Sequence, residues 1–527
     1  MALTRQEILD GLKQLGVREG SVIMAHSALS AFGKVEGGAV TVIEALIEAV
    51  GPEGTLLMPA MASEQPFRIE SSPSTVGTIT DVFRSYPGTT RSLHPTHSVA
   101  GIGPLVDQLI AGHIDHPTAL GPQSPWGRMA QRDDAYILLL GCDQDRNTLL
   151  HCAEEAVDGA YLNTISRTYI DAEGRERTKA LEKFPGPHRD FIGLDPLFES
   201  ARAMNVGKIG TAVCRLMSAK QTLMLAIEAL RRDPAAVLCD NAHCRDCVQQ
   251  RADIKRARLA DESFTLSAVI DGTGLGVDEV GQALWLIGAE GIGAVEIGPH
   301  WARALREHAD ACREVAAHLG GEGIKAAIIH ADVPLRDGVE ASAAVDALNA
   351  VIEATAVFAP DYLKLPGYPR GTGDADGSVA HAVELLDALG QAAESAGMRL
   401  LIENHADALW SDTAGCDRVL TSVSSPAVAF SFNPAHFAHV GEHPFLATYK
   451  RARAKRYTEQ LMLIDGCTPP WPGYTLLAQG QGEVRELMSI LRCRSFAGHF
   501  TICLKDLRGA ESFARQAAEF WRSLDLM

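Results

Sequence analysis

Long apolar runs are absent from this sequence, and its first residues, MALTRQEILDGLKQLGV, lack the basic segment, apolar stretch and small-residue cleavage site of a secretory signal. These residues instead predict an amphipathic helix that carries charges of both signs. Short-period repeats and low-complexity tracts are also absent. With 46% hydrophobic and 22% charged residues, the composition excludes fibrous and disordered classes and predicts a soluble globular protein of the cytoplasm.

Positive charge is scarce, because 48 Lys and Arg residues face 66 Asp and Glu residues and give a formal net charge of −18. Nucleic acids and anionic membranes favour a basic surface, so the sequence argues against both as main partners. A cationic small molecule is compatible with this charge. At 527 residues the chain is expected to form about two domains of roughly 200–270 residues. The sequence leaves the oligomeric state open, with a homodimer among the alternatives.

The eleven cysteines do not form the even, regularly spaced set of a disulfide framework. Most stand singly in apolar runs and predict reduced core thiols. The exception is a segment of nine residues with three thiols and a histidine, which could wrap a tetrahedral zinc ion. A reduced thiol cluster in a loop is the alternative. The residues of this segment that could bind zinc are Cys239, His243, Cys244 and Cys247.

The N-terminal half mixes β-rich runs with amphipathic helices. Ser21–His26, Gly54–Pro59 and Ala135–Gly141 predict buried strands. Thr41–Val50 carries apolar residues at helical spacing and is followed by a Gly-Pro stop. This mixture indicates a layered α/β domain.

The charge-rich segment Gln249–Ser263 predicts a solvated helix that ends the first domain. The boundary is therefore expected near Leu259, with domains at 1–258 and 259–527. Beyond it, strands alternate with helices, which predicts a (β/α)8 parallel barrel. The predicted strands of this half include Phe264–Ile270, Gly293–Gly298, Lys325–His330, Tyr362–Leu365 and Met398–Glu403.

A polar, glycine-bearing turn follows the first predicted strand and opens the helix that begins near Ala39. Backbone amides at a helix start can hold a pyrophosphate, and glycines let the ligand approach. A purely structural turn is the alternative. The candidate binding residues in this turn are Ser27, Ser30, Phe32, Gly33, Gly37 and Gly38.

A second polar segment, RSLHPTHS, has two histidines, an arginine and three hydroxyls within eight residues. Its proline fixes the backbone of the segment. Loops with this density of polar groups tend to be sites, although a hydrogen-bonded corner without chemistry is the alternative. The candidate residues of this segment are Arg91, His94, His97 and Ser98.

A third cluster, His151 and Glu154, follows the apolar run that ends at Gly141. On a helix these two residues lie on one face, so the carboxylate can orient the imidazole and make a general base. A surface pair is the alternative. Cys152 is disfavoured as a nucleophile, because adjacent helical residues point about 100° apart. The polar loop Gly186–Phe191 predicts a substrate-binding or structural element.

Five runs in the first half, in order and with family-like spacing, resemble the antibiotic N-acetyltransferases, the aminoglycoside 3-N-acetyltransferase family. The resemblance implies an α/β/α three-layer fold and direct transfer of an acetyl group from acetyl-CoA to the amine of a small molecule. The family's acceptors are aminocyclitol antibiotics, but an amino sugar or a biosynthetic intermediate is equally compatible. The runs are HSALSAFGKVEGGAVTVIEALIEAVGPEGTLLMPA, RSLHPTHSVAGIG, SPWGRM, LLLGCDQDRNTLLHCAEE and GKIGTAVCRLMSA.

The resemblance also implies roles for individual residues. His151 with Glu154 supplies the base, and His94 or His97 is the rival. The turn from Ser27 to Gly38 contacts acetyl-CoA. Arg91 and Ser98 are further candidates for the cofactor, and the hydroxyls of Ser27, Thr148 and Ser98 are candidates for stabilising the oxyanion.

Four segments of the second half, Leu401–His405, Phe432–His436, Gln479–Glu483 and Gly498–Asp506, resemble the sugar-phosphate isomerase/epimerase, or xylose-isomerase-like, barrels. In that family acidic and histidine side chains hold a divalent metal that polarises a carbonyl or hydroxyl group. The matching ligand candidates are Glu403 and His436.

Three departures indicate that this metal site is degraded. Asn433 stands where an aspartate is expected, Leu461–Asp465 offers no histidine, and Ile502 and Cys503 replace a glutamate. Sites built from oxygen ligands depend on carboxylate charge, so a binding or regulatory barrel is favoured. Two alternatives remain, a sugar-binding module and an isomerase of new ligand geometry. The ligands of that isomerase would be Glu296, Glu403, His405 and His436.

Overall fold

The computed structural model describes residues 2–186, 188–271, 277–370, 375–450, 452–470, 472–503 and 510–526. The chain divides into two compact units, Met1–Ile254 and Lys255–Met527. This division lies within a helix, Arg245–Leu259, which covers most of the charge-rich segment predicted to be helical.

The first unit contains a seven-stranded sheet in the order β3-β4-β2-β1-β5-β9-β8. Strand β1 pairs in parallel with both β2 and β5. A separate two-stranded hairpin is formed by β6 and β7. The strands are β1 Val22–Ser27, β2 Thr55–Pro59, β3 Thr90–Arg91, β4 Val99–Ile102, β5 Ala135–Leu140, β6 Asn163–Ile170, β7 Glu176–Phe184, β8 Met204–Ile209 and β9 Ala212–Ser218.

Helices cover both faces of this sheet. Alternate side chains of β1 therefore enter two different cores. Val22 and Met24 belong to one core and Ile23 and Ala25 to the other. A strand that is buried on both faces has a near-continuous apolar sequence, as β5 and the runs Val22–Ala25 of β1 and Leu56–Met58 of β2 do. The predicted α/β/α three-layer fold is therefore confirmed. The helices are α1 Arg5–Leu15, α2 Ala39–Val50, α3 Thr78–Phe83, α4 Val106–Ile110, α5 Pro125–Met129, α6 Leu149–Ala156, α7 Asp195–Ser200, α8 Ala219–Arg232 and α9 Arg245–Leu259.

The second unit contains a closed barrel of eight parallel strands, as the alternation of strands and helices predicts. Strand β10 closes it by pairing with both β11 and β19, and β17 and β18 form a separate hairpin. The strands are β10 Thr265–Ile270, β11 Ala294–Ile297, β12 Lys325–His330, β13 Tyr362–Lys364, β14 Arg399–Glu403, β15 Val428–Phe432, β16 Thr458–Leu463, β17 Asp465–Cys467, β18 Gly473–Thr475 and β19 His499–Ile502. Residues 504–506, the end of the last motif, lie outside the described residues.

Nine helices of the described chain belong to this unit. They are α10 Val277–Ala289, α11 Pro299–Glu307, α12 Ala309–Gly321, α13 Ala341–Thr355, α14 Ala375–Ser395, α15 Thr413–Ser422, α16 Pro434–His439, α17 Val484–Arg492 and α18 Ala510–Asp525. By length and composition alone, Ala341–Phe358 could cross a membrane. Ala344, Leu348 and Val351 of this segment are buried in the barrel core.

Candidate active site

A cavity of about 880 Å³ lies at the carboxyl ends of β1 and β2 and in the loop after β5. The sheet order places β2 and β5 on opposite sides of β1, so the connections diverge at this edge. Open α/β sheets bind ligands in the crevice at such a point. The residues that line the cavity are His26, Ser27, Ala28, Leu29, Ser30, Gly33, Pro59, Met61, Thr75, Val76, Gly77, Thr78, Thr80, His97, Cys142, Asp145, Arg146, Thr148 and His151.

His151 lies in the first turn of α6 and faces this cavity. Its Nδ1 is 2.5 Å from Oε2 of Glu154, on the same face of the helix as the spacing predicts. The Nε–H of Arg189 donates to the other oxygen of that carboxylate. With Nδ1 engaged by Glu154, Nε2 is the ring nitrogen that can serve a ligand. A carboxylate that orients an imidazole at a cavity wall is the arrangement that a general base requires.

The partners of this histidine are buried and charged. The Glu154 and Arg189 side chains are 0% and 3% exposed. Burial raises the pKa of Glu154, but the hydrogen bond from His151 and the charge of Arg189 outweigh this effect and hold the pKa below its ordinary value. The guanidinium of Arg189 also lies over the Tyr161 ring at 4.8 Å, and Phe191 contacts the imidazole edge-on with its ring centre 4.8 Å away. The carboxylate is therefore ionised and fixed beside His151 at neutral pH.

Two buried polar atoms in the cavity wall, Ser27 Oγ and His26 Nε2, have no hydrogen-bond partner among the described residues. Leaving such an atom unpaired costs about 1–3 kcal/mol, so this wall fits a polar ligand. Burial lowers the pKa of His26 to about 3, which keeps its imidazole neutral. Thr148, directly before α6, adds a hydroxyl to the same cavity. Ser27 and Thr148 therefore both line the cavity, and their role as oxyanion donors stays a prediction.

Only part of the turn after β1 reaches the cavity. Ser30 and Gly33 line it, whereas the Phe32 side chain is buried in the core. Gly37 and Gly38 are not in the cavity wall. Their φ values of +70° and +63° form the turn from which α2 begins. These two glycines therefore shape the turn, and Phe32, Gly37 and Gly38 do not line this cavity; their contact with the cofactor stays a prediction.

Arg91 and Ser98 do not reach the cavity either. The Arg91 guanidinium donates to the carbonyls of Ala60, Ile69 and Ser72 and to Ser98 Oγ, at 2.5–3.2 Å. Ser98 Oγ itself donates to the Ala60 carbonyl at 2.5 Å. Because these groups bond to the protein itself, the pair forms a hydrogen-bonded corner of the fold, which is the alternative that the sequence left open.

The two histidines of the same segment have different surroundings. His94 is fully buried, stacks on His113 at 4.3 Å and does not line the cavity. Burial and the charge of His113 lower its pKa well below the ordinary value, so the structure gives His94 no contact with a ligand in this cavity. His97 does line the cavity, and burial lowers its pKa to about 3.

Sequence analysis missed several residues of this site. Arg189 belongs to the polar loop Gly186–Phe191, and its charge is the feature of the sequence that could have identified it as a site residue. Asp145 and Arg146 lie within the conspicuous run before His151, yet nothing in the run distinguishes them. The segment Thr75–Thr80 carries no motif, and only the fold brings it to the cavity.

The polar loop Gly186–Phe191 also contributes a residue to the cysteine cluster. His188, with Cys239, Cys244 and Cys247, forms a group whose ligand atoms all lie within 4.8 Å of one another. His243, the histidine expected from sequence, is exposed and does not belong to this group. The chain brings in His188 from far upstream, which short spacing cannot reveal.

In the barrel, the ammonium group of a lysine lies between the carboxylates of Glu296 and Glu403. Lys364, on β13, contacts Glu296 Oε1 at 3.0 Å and also pairs with Glu403 Oε2. His330 adds a contact of 2.7 Å to Glu296, and Asn433 Nδ2 donates to Glu403 Oε1 at 2.6 Å. Burial lowers the pKa of Lys364, but both carboxylates outweigh it and raise the pKa above its ordinary value. A second cation beside this ammonium would be repelled, so these residues do not fit a divalent metal.

The other predicted ligand of the barrel is engaged as well. His436 Nδ1 hydrogen-bonds to the Asn404 carbonyl at 2.5 Å, and its Nε2 to the Tyr474 hydroxyl at 2.6 Å. The ring of His405 lies 4.7 Å from that of His436. Both imidazole nitrogens of His436 therefore have protein partners, as do both carboxylate oxygens of Glu403, so both candidate ligands of the degraded site are engaged by protein groups.

Comparison with known proteins gives two family matches. Residues 24–231 match the family described as aminoglycoside 3-N-acetyltransferase, and residues 286–524 match the xylose isomerase-like TIM barrel family.

Relatives of the first half include an aminoglycoside N(3')-acetyltransferase-like protein, YokD, from Bacillus subtilis, 34% identical over 42% of this chain and 90% of the relative. Aminoglycoside N(3)-acetyltransferase IV from Salmonella sp. is 32% identical over 44% of this chain and 90% of its own length. Among solved structures, the aminoglycoside acetyltransferase AAC(3)-IVa apoenzyme is 30% identical, with a TM-score of 0.44, over 47% of this chain and 96% of its own.

Proposed function

This chain belongs, through its N-terminal unit, to the aminoglycoside 3-N-acetyltransferase family, and from that premise we propose that its cavity binds acetyl-CoA and an amine acceptor. The acceptor class is an aminoglycoside or a related amino sugar or aminocyclitol, as the names of the relatives suggest. The functional unit is the segment 1–258. The single observation that carries the proposal is the His151–Glu154–Arg189 arrangement at the cavity wall.

The residues of the cavity wall have different roles in the proposed reaction. Acetyl-CoA supplies a thioester carbonyl that an amine can attack. An acceptor ammonium must first lose its proton, and His151 Nε2 takes it while Glu154 stabilises the imidazolium. The hydroxyls of Ser27 and Thr148 can donate to the oxygen that gains negative charge.

Charged groups at the cavity mouth suit the two ligands. Arg146 is exposed and lines the cavity, where its guanidinium can pair with a phosphate group of coenzyme A. Asp145, beside it, offers negative charge to a polycationic acceptor. All eleven cysteines are free, which supports the reducing cytoplasm as the location.

The barrel is proposed to bind or regulate rather than to isomerise through a metal. The observation behind this is the Lys364 ammonium between Glu296 and Glu403. A sugar-binding module that presents substrate to the first unit is one form of this proposal, and a regulatory barrel is the other.

Acetyl transfer can be tested with the full-length protein, acetyl-CoA and a panel of acceptors, by following the released thiol. We expect release above the hydrolysis background with at least one aminoglycoside or amino sugar, and none with neutral sugars that lack the amine. No release with any amine of the panel contradicts the proposed reaction.

A second test concerns the turn before α2. Gly38 has a φ of +63°, which a β-branched residue adopts at a cost of roughly 1–3 kcal/mol. Gly38→Val is therefore expected to displace the turn that carries Ser30 and Gly33 and to weaken acetyl-CoA binding about 10-fold. The KM for the acceptor should change less.

Calorimetry of acetyl-CoA binding measures this effect, and Gly174→Val is its matched control. Gly174 has a φ of +77° and, like Gly38, open space where a side chain would stand, but it lies between β6 and β7. If both variants lose acetyl-CoA affinity equally, or if Gly38→Val affects only the acceptor, the role of this turn is refuted.

A further inference from the structure

The residues His188, Cys239, Cys244 and Cys247 place one imidazole and three thiols around a common centre. His188 Nδ1 is 3.2 Å from Cys247 Sγ and 3.5 Å from Cys244 Sγ. All four ligand atoms lie within 4.8 Å of one another. A tetrahedral zinc ion, with bonds of about 2.3 Å to sulfur and 2.0–2.1 Å to nitrogen, holds such atoms roughly 3.5–3.8 Å apart. The group needs only small adjustments to enclose the ion.

The chemistry of these four groups selects the metal. Thiolates and an imidazole are ligands for zinc, whereas magnesium and calcium require oxygen. Four protein ligands leave no open position, which is the composition of a structural site. All three thiols are free, so a disulfide does not explain their proximity.

Hydrogen bonds that involve no metal also hold the Cys239 segment in place. Arg251, on α9, donates to the carbonyls of Leu238 and Cys239 at 2.7 and 3.1 Å and to Asp240 Oδ1 at 2.9 Å. This fixes the Cys239 segment against the helix that bears Cys247. A metal would join both to the loop of His188.

That loop is the one that supports the general base. Arg189 follows His188 directly, donates to its carbonyl at 2.6 Å, and also donates to the Glu154 carboxylate. We propose that His188, Cys239, Cys244 and Cys247 bind one zinc ion, and that this ion fixes the Arg189 loop and thereby positions the Glu154–His151 pair. The second clause depends on the proposed acetyl transfer, whereas the first does not.

Elemental analysis of the full-length protein, produced with zinc in the medium and dialysed against metal-free buffer, tests the site. We expect one equivalent of zinc, with three sulfur ligands and one nitrogen ligand by X-ray absorption. His188→Ala and Cys244→Ser should lose it. His243→Ala is the matched control and should retain it, because that side chain is exposed near the same segment.

Cobalt gives a second readout that does not depend on the folding of a variant. The native protein, stripped by chelator and titrated with Co²⁺, should develop the visible absorption of a tetrahedral thiolate site. Protein that holds no zinc and gives no such absorption overturns the site and leaves a reduced thiol cluster. Loss of zinc in His243→Ala but not in His188→Ala overturns the assignment of the fourth ligand.

The positioning clause is tested by kinetics. Loss of an outer partner of a catalytic group typically costs about 10–100-fold in activity. His188→Ala should lower kcat by about that factor, with little change in the KM for acetyl-CoA. An unchanged kcat in the zinc-free variant refutes the positioning role. Stoichiometric zinc in a protein that acetylates no acceptor supports the site and counts against the proposed function alone.

Discussion

Replacing His151 by alanine is expected to lower kcat by about 10²- to 10⁴-fold, because a positioned general base typically contributes that much. The affinity for acetyl-CoA should remain nearly unchanged, since the imidazole acts on the acceptor's proton. Steady-state kinetics and calorimetry measure the two quantities. The cavity residue His97 is the internal comparison, since it lines the same wall without a carboxylate partner in the described structure.

Glu154→Gln separates the charge of the pair from its shape. Removing the negative charge removes the partner that stabilises the imidazolium formed when His151 takes the acceptor's proton, so kcat should fall. The structure adds a second effect, because Arg189 is buried and loses its counter-ion in this variant. A lower thermal stability should therefore accompany a kinetic loss smaller than that of His151→Ala. Full activity in His151→Ala, with a large loss in His94→Ala or His97→Ala, would transfer the role of base to the segment Arg91–Ser98.

The stability of this ion pair also has a defined pH dependence. The pKa of Glu154 in the folded protein lies below its ordinary value, because the effects of His151 and Arg189 outweigh burial. A carboxyl with a lowered pKa stabilises the fold above its unfolded pKa, and that contribution disappears as the pH falls through the folded value. The pair therefore contributes fully at neutral pH.

Replacing Lys364 by methionine is expected to destabilise the barrel by about 3–5 kcal/mol, the cost of breaking a buried ion pair from one side. The ammonium is 1% exposed and is the cation that Glu296 and Glu403 share. Methionine is unbranched and only one atom shorter than lysine, so the loss is mainly one of charge. Thermal and denaturant unfolding of the full chain measure the effect.

Lys325→Met is the matched control on the neighbouring strand. Its ammonium also pairs with a carboxylate, Asp361, but the two side chains are 50% and 42% exposed. Exposed pairs of this kind contribute about 0–1 kcal/mol, so little change is expected. Equal effects of the two lysine variants would contradict the buried role of Lys364. Manganese, cobalt or magnesium retained by the dialysed native protein, and lost with Glu403→Ala, would contradict the reading that the ammonium excludes a metal.

Local sequence patterns were sufficient for three strands of the sheet, for the alternation of strands and helices in the barrel, and for one contact of the site. The apolar runs within β1, β2 and β5 predict buried strands, because burial on both faces leaves few polar positions. The spacing of His151 and Glu154 predicts their contact, because a helix places residues three apart on one face. The catalytic roles of these two residues stay predictions.

Other parts of the site depend on tertiary contacts that no local pattern contains. Arg189 is 35 residues from Glu154 in the chain, and His188 reaches the thiols although His243 is nearer in sequence. Arg91 shows the opposite case, in which a residue that suggests a ligand site serves the fold instead. Its polar segment predicts a site, but the guanidinium satisfies backbone carbonyls inside the fold, a use that composition cannot distinguish from ligand binding.

The buried ammonium of Lys364 also determines how the barrel responds to its surroundings. A bound ion stabilises a fold by mass action, so its contribution rises and falls with the free concentration of that ion. A cation that is covalently part of the chain cannot dissociate, so its contribution does not depend on the free concentration of a metal ion. We therefore expect chelators and metal starvation to leave the unfolding of the barrel unchanged.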